Sequence, residues 1–348
     1  MKMLTPLITF FFFDIALPSS ITVQVIPKSK IGKYTLIMKQ TTNHILMIRP
    51  SNFRMNEETS KNNYYQKSCS NLNVKEKSLK EFDSFVAKLR DHEIHVVVFQ
   101  DRENPDTPDS VFPNNWISFH QNGFVALYPM FAKNRRLERR TDILDMLMEK
   151  GYTIDKVIDY TYGEDKNSFL EGTGSMVLDR RNKKAYASLS PRTNEELFLQ
   201  FCEDFIFKPV VFHAYQTVGE DVRRLPIYHT NVMMSVGETF ALICLDSIDD
   251  CDERETVVTN LKNDGKEIIQ INEYQAGKFA GNMLQVHNSQ GTRYLVMSLT
   301  AYKSLSPQQI LAIEKHCQII SSDLSTIEAC GGGSARCMMA ELFISKQT

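Results

Sequence analysis

No Cys-x-x-Cys pair occurs in the 348 residues, and the seven cysteines are scattered and odd in number. That pattern argues against a zinc site or a disulfide framework and for a reducing, cytoplasmic setting. There is no Gly-x-Gly-x-x-Gly after a first strand and no Gly-Lys-Ser/Thr loop, so a nucleotide-binding fold has little support. Neither sign of charge dominates. With 40 Lys+Arg against 42 Asp+Glu, the formal charge is −2, which gives no reason to expect nucleic acid or an acidic membrane surface as the partner. Long hydrophobic runs are also missing, save residues 4–13 of "MKMLTPLITFFFFDIALPSS". That run falls short of the ~20 apolar residues of a membrane span. It resembles a weak signal peptide, but Asp14 interrupts it and no good cleavage site follows. The reading is an extension over residues 1–40, signal-like or a non-native start, ahead of a single domain over 41–348.

Glycine is scarce, with 15 in the chain, yet three stand together in "CGGGSARCMMAELF" (330–343). Consecutive glycines cost backbone entropy and are expected where φ must be positive or backbone must approach something closely. Cys337 therefore sits beside a tight turn, as a buried thiol or as a reactive one.

Between these landmarks the chain alternates strand-like and helical patterns. Strands are expected at 44–50, 95–100, 123–130, 174–180, 184–190, 229–237, 240–245, 282–288, 293–299 and 337–343. Helices are expected at 74–92, 135–151, 193–205, 251–265 and 306–320; in the first, Leu79, Phe82, Val86 and Leu89 recur at helical spacing. Ser306-Pro307 reads as N-cap and first turn, and Gly151 and Gly265 as helix ends. The pairs 174–190 and 231–245 read as hairpins joined at 179–183 and 237–239. The outcome is an α/β repeat of five helices separated by hairpins, with no Pro/Gly/Ser-rich linker, and loops that meet at the centre of one domain.

Three other stretches carry chemical groups. "SFLEGTGSMVLD" sets Glu171 before a Gly-x-Gly turn, "IYHTNVMMSVG" sets His229 at the mouth of a strand, and "PDSVFPNNWISFH" gathers Asp109, Asn114, Asn115 and the only tryptophan. An acid, a histidine and a cysteine can form a nucleophilic triad. The thiolate attacks, the histidine shuttles a proton, and the acid orients the histidine. Each has a plainer reading too: a core cysteine, a strand-end histidine, a turn-shaping glutamate, an Asx turn.

In this order, "PDSVFPNNW", "LEGTGSMVLDR", "SPRTNEE", "HTNVMMSVG" and "GGGSARCMMAE" resemble the guanidino-group-modifying (pentein) enzymes over roughly 300 residues. Within them the chain is most similar to citrulline utilization hydrolases, and related to dimethylarginine dimethylaminohydrolases and arginine deiminases. The resemblance implies a five-bladed α/β propeller, with Cys337 as nucleophile, His229 as general acid/base and Glu171 as its orienting acid. It implies neither metal nor cofactor, and a small-molecule partner; it leaves the oligomeric state open. Asp109, Phe112 and Asn115 would line the substrate site. Arg192 is the better match for a carboxylate-binding arginine, and Arg135 or Arg136 a looser one. Where the dimethylarginine enzymes and deiminases carry aspartate, this chain has Asn115. An amide donor suits a neutral ureido oxygen, which a carboxylate repels. The expected reaction is therefore hydrolysis of citrulline to ornithine, ammonia and carbon dioxide. Hydrolysis of arginine or methylarginine is the alternative.

Overall fold

The computed structural model describes residues 38–67, 73–218 and 223–347. The extension expected over 1–40 lies outside them except for its last three residues.

Five three-stranded sheets share one pattern. In each, a short strand pairs antiparallel with a middle strand, which pairs parallel with a third. Along the chain they are Ile117–His120, Phe124–Leu127 and Lys156–Asp159, then Met176–Asp179, Lys184–Ser188 and Lys208–Phe212. Met234–Val236, Phe240–Ile243 and Glu267–Gln270 follow, then Leu284–His287, Arg293–Ser298 and Gln318–Ser322. The fifth sheet joins the ends of the domain, with Ala340–Glu341 against His44–Arg49 and that strand against His95–Gln100. A helix makes each parallel crossover: Val74–Asp91, Asp142–Glu149, Glu195–Phe205, Cys251–Asn263 and Pro307–Glu314.

Local chemistry starts and stops these helices, at Ser306, Gly151 and Gly265 as expected and at Asn194 and Asp250 beyond what was expected. Asn194, Asp250 and Ser306 accept hydrogen bonds from the first-turn amides, and Ser306 with Gln309 completes a capping box. Gly151 and Gly265 take φ of +86° and +72° just past two helix ends. The hairpins at 179–183 and 237–239 form as expected.

Several expectations change: strands Ile117–His120, Tyr215–Val218 and Arg223–Pro226 were not expected, and the helix expected over 135–151 is a 3₁₀ turn at Asn134–Glu138 followed by a helix at Asp142–Glu149. The outer strands at 156–159, 208–212 and 267–270 were not foreseen. They are short and half exposed, and Pro209 weakens the second as a sequence signal. The helix expected to reach 320 ends at Glu314, because Ile319 and Ile320 pair with Leu295 and Val296 in a strand. Of the strand expected over 337–343, only Ala340–Glu341 forms; Cys337 lies in a turn.

Gln40, one residue before the expected domain start, belongs to the fold. Its buried amide donates to Leu178 O (3.0 Å) and Val236 O (3.1 Å) and accepts from Arg180 N (2.7 Å). One side chain thus ties together the short strands of two sheets. Gln40→Ala strands these backbone groups and should cost about 2 kcal/mol of unfolding free energy. A urea titration checks this; a loss under about 0.5 kcal/mol, the scale of an ordinary surface change, contradicts it.

Candidate active site

Each sheet's short strand is preceded by a tight segment, and those segments carry the chemistry. Asn115 stands two residues before Ile117, Glu171 five before Met176, His229 five before Met234, Asn282 two before Leu284 and Cys337 three before Ala340. The repeat therefore delivers five side chains from the segments ahead of five short strands.

Glycines allow these segments to close up. A Cβ on Gly331 or Gly333 would come within 2.8–2.9 Å of the Phe112 ring, and Gly332 takes φ +65°. All three glycines of the run are thus used, two for close approach and one for backbone conformation. A Cβ on Gly174 would strike Asn115 Nδ2 and come within 2.8 Å of the His229 ring.

The acid and the histidine meet. Glu171 Oε2 lies 2.7 Å from His229 Nε2, while Oε1 accepts from Phe131 N at 2.9 Å. Both side chains are buried. Burial pushes the Glu171 carboxyl up, but Arg192, His229 and Arg135 outweigh it and hold it well below the usual carboxylate range. Burial lowers His229 to about 4 against the opposing pull of Glu171. A neutral His229 facing a carboxylate must carry its proton on Nε2, which leaves Nδ1 as the free base.

Cys337 lines the same cavity as His229, Asp109, Asn115, Arg135 and Arg192. Its Sγ is 3.2 Å from Asn282 Nδ2 and 3.5 Å from Asn231 Nδ2. Sequence reasoning missed both asparagines. The signal was their register: they precede their short strands by the same two or three residues as Asn115 and Cys337. Cys202, Cys244, Cys251, Cys317 and Cys337 are free thiols. Cys330 is disulfide-bonded, which the expectation of a reducing setting without a disulfide framework did not foresee.

The remaining candidates divide. Phe112 forms the cavity wall against the glycine run. Asp109 Oδ2 accepts from Asn56 Nδ2 (2.8 Å) and Thr59 Oγ1 (3.2 Å), whereas its Oδ1 is buried without a partner. Burial pushes the Asp109 carboxyl up, against the pull of Arg135. Asn115 Oδ1 accepts from Arg135 Nη1 at 2.9 Å, and its Nδ2 is buried and unpartnered. Arg192 packs over the Tyr228 ring and donates to Asn62 Oδ1 and to Thr59 O. Arg136 is not brought to the cavity; its Nε donates to Met130 O, and its guanidinium lies over Phe169. Among the described residues, no group of three or more His, Cys, Asp or Glu could hold a metal ion.

A family model for eukaryotic N,N-dimethylarginine dimethylhydrolase matches residues 49–344. The chain belongs to this family. It lies within the pentein superfamily, and its α/β fold is shared by solved relatives. One is the N-terminal domain of ArgZ, with a covalently bound reaction intermediate, at TM-score 0.63 and 16% identity. That match covers 86% of this chain and 97% of the other. The apo structure of ArgZ, an arginine dihydrolase of the ornithine-ammonia cycle in cyanobacteria, matches at TM-score 0.64 and 16% identity. There 87% of this chain is covered, but only 41% of the ArgZ chain. A dimethylarginine dimethylaminohydrolase adduct with S-methyl-L-thiocitrulline matches at 0.55 and 15% identity, over 86% and 99% of the two chains. No curated protein sequence matches the chain. Among the described residues, no helix is long and apolar enough to cross a membrane.

For this dimethylarginine dimethylhydrolase relative, the histidine's burial sets an acid limit on stability. Unfolded His229 takes a proton near 6.5 and the folded residue only near 4. Between those values the unfolded state binds more protons, so stability falls as pH falls. From pH 6.5 to 5 the loss from this one group is about 1.5 kcal/mol. Glu171, held low, adds a loss of the same sign below its unfolded value of 4.5. Urea titrations at the two pH values should show a shallower loss in His229→Gln than in the parent. Equal losses would remove His229 from the account.

Proposed function

We propose that the chain hydrolyses the ureido carbon–nitrogen bond of citrulline, giving ornithine, ammonia and carbon dioxide. The observation that carries this reading is the orientation of Asn115. Asn115 lines the cavity, Arg135 holds its carbonyl oxygen, and its amide nitrogen is buried without a partner. A ureido oxygen accepts from such a donor, whereas a guanidinium has nothing to offer it. The unpartnered Asp109 Oδ1 would accept from the ureido N–H groups.

In this mechanism Cys337 Sγ attacks the ureido carbon, and the developing oxyanion draws on Asn115 Nδ2, a donor already in place. As Sγ attacks, His229 takes the thiol proton and passes it to the departing nitrogen, and the C–N bond breaks. It then takes a proton from the water that attacks the thiocarbamate carbonyl; the C–S bond breaks and that proton returns to Sγ. The released carbamate loses carbon dioxide. Glu171 fixes the histidine tautomer and stabilises its cation. The amino-acid carboxylate would take the Nε/Nη2 edge of Arg192 in exchange for Asn62, since a guanidinium fork matches a carboxylate better than an amide oxygen. The five sheets, each sending one segment to the site, are read as blades of a closed propeller with this cavity at its axis.

A second reading, hydrolysis of arginine or a methylarginine, is favoured by the family match and by the free carboxylate oxygen of Asp109. Incubation with citrulline, arginine and N,N-dimethylarginine separates the two. Ornithine formed from citrulline supports the first. Citrulline accumulating from either arginine, with no ornithine, overturns it in favour of the second.

A further inference from the structure

We infer that Asn282 and Asn231 are catalytic residues, whose side-chain amides form a two-donor cradle for the Cys337 sulfur while it carries negative charge. This rests on the reading of Cys337 as the nucleophile, and it holds whichever ureido or guanidino substrate is taken.

The bonds of the two amides fix which atoms face the sulfur. Asn282 Oδ1 accepts from Arg336 N at 3.1 Å, and its Nδ2 donates to Asn231 O at 3.0 Å. Asn231 Nδ2 donates to Thr173 O at 3.0 Å. Turning either amide over would set its oxygen against a backbone carbonyl. Each NH₂ carries two protons, so after these bonds each has one left. Those protons meet Sγ, which lies 3.2 Å from Asn282 Nδ2 and 3.5 Å from Asn231 Nδ2. Both asparagines are buried. A glycine allows their segments to meet. A Cβ on Gly281 would strike Val232 O and come within 2.9 Å of Met233 Cα, so the turn that carries Asn282 can settle on the turn that carries Asn231.

A buried thiol resists ionisation. Burial pushes Cys202 up to about 12 and Cys317 up to about 11. Cys337 is also buried, yet its sulfur must lose its proton to attack. The resting thiol can donate to Asn231 Oδ1, at 3.8 Å. Once the proton has passed to His229, the sulfur keeps the electron pair, and the two N–H groups meet the charge. Hydrogen bonds to an ionised acceptor are about twice as strong as those to a neutral one, so the pair favours the anion over the thiol. The charge leaves the sulfur as the C–S bond forms. It returns when that bond breaks, before Sγ regains its proton, and the cradle acts a second time.

The charged and titratable groups that share the cavity with Sγ are Asp109, Arg135, Arg192, Tyr228 and His229. Arg336, the residue before Cys337, is turned to Glu341 Oε2 at 2.8 Å. Substitutions at 231 and 282 leave all of these side chains unaltered.

The test reads the thiolate itself. The ultraviolet absorbance of the sulfur anion is followed against pH in the full chain, with the matching Cys337→Ala protein as blank. At the pH where Cys337 of the parent is half ionised, Asn282→Ala should show a thiolate-to-thiol ratio lower by at least about tenfold, the effect of losing a hydrogen bond to a charged group. Lower turnover or stability without that fall would make Asn282 a bracket for the turn alone, and would overturn the inference. Should Asn282→Ala fail to fold, Asn231→Ala keeps the bond to Arg336 N. It should lower the ratio by at least about threefold, since its donor is the more distant, and an unchanged ratio overturns the inference. The titration needs no substrate. If citrulline, arginine and N,N-dimethylarginine are all left intact by the parent, the proposed function fails on its own, and the ratio still tests the cradle.

Discussion

Cys337→Ala is expected to fold like the parent and to turn over substrate at less than about a thousandth of its rate, the scale of loss when a covalent nucleophile is removed and only binding and electrostatics remain. Folding should survive because no neighbour is stranded. Asn282 Nδ2 also donates to Asn231 O at 3.0 Å, and Asn231 Nδ2 to Thr173 O at 3.0 Å. Losing one buried sulfur should then cost about 1 kcal/mol, the ordinary size of a single substitution. Thermal unfolding measured beside turnover separates the two effects. Residual activity above that level in a folded variant would take the nucleophile's role from Cys337.

Asn115→Asp is expected to lose at least about a hundredfold in kcat/KM on citrulline, equivalent to roughly 3 kcal/mol. One aspartate oxygen would pair with Arg135 in place of the amide oxygen. The other would stand where Nδ2 now is, an acceptor facing the ureido oxygen that becomes an oxyanion. The same substitution should spare or raise turnover of arginine, whose cation a carboxylate attracts. Citrulline hydrolysis at the parental rate would show that Asn115 does not read the ureido group, and would leave the arginine reading the stronger.

These two positions differ in how legible they were. Cys337 could be singled out because three glycines beside it imply a turn whatever the rest of the chain does. Asn115 could be named as a departure from the dimethylarginine enzymes, but which end of its amide faces the substrate could not be read. Its amide oxygen is held by Arg135, 20 residues further along and itself paired with Glu138. Arg135 was a loose match to the family's carboxylate-binding arginines, and sequence does not reveal that it pairs with Glu138 and Asn115. Arg136, its neighbour, turns to Met130 and Phe169 because adjacent residues of a helical turn point in different directions.

What the sequence determined by itself is local. Helix starts at Asn194, Asp250 and Ser306, helix ends at Gly151 and Gly265, the tight hairpins, and the glycine turn before Cys337 all follow from backbone preferences and bonds spanning a few residues. Tertiary structure alone decided the outer strands, which are defined by their partners. It also decided the contact of Glu171 with His229, 58 residues apart, and the placing of Asn231 and Asn282 against Sγ across 106 and 55 residues. The physical reason is that hydrogen bonds and burial between distant segments depend on how five modules pack. A side chain's partners, and with them its charge state and its free edge, do not exist until that packing is complete.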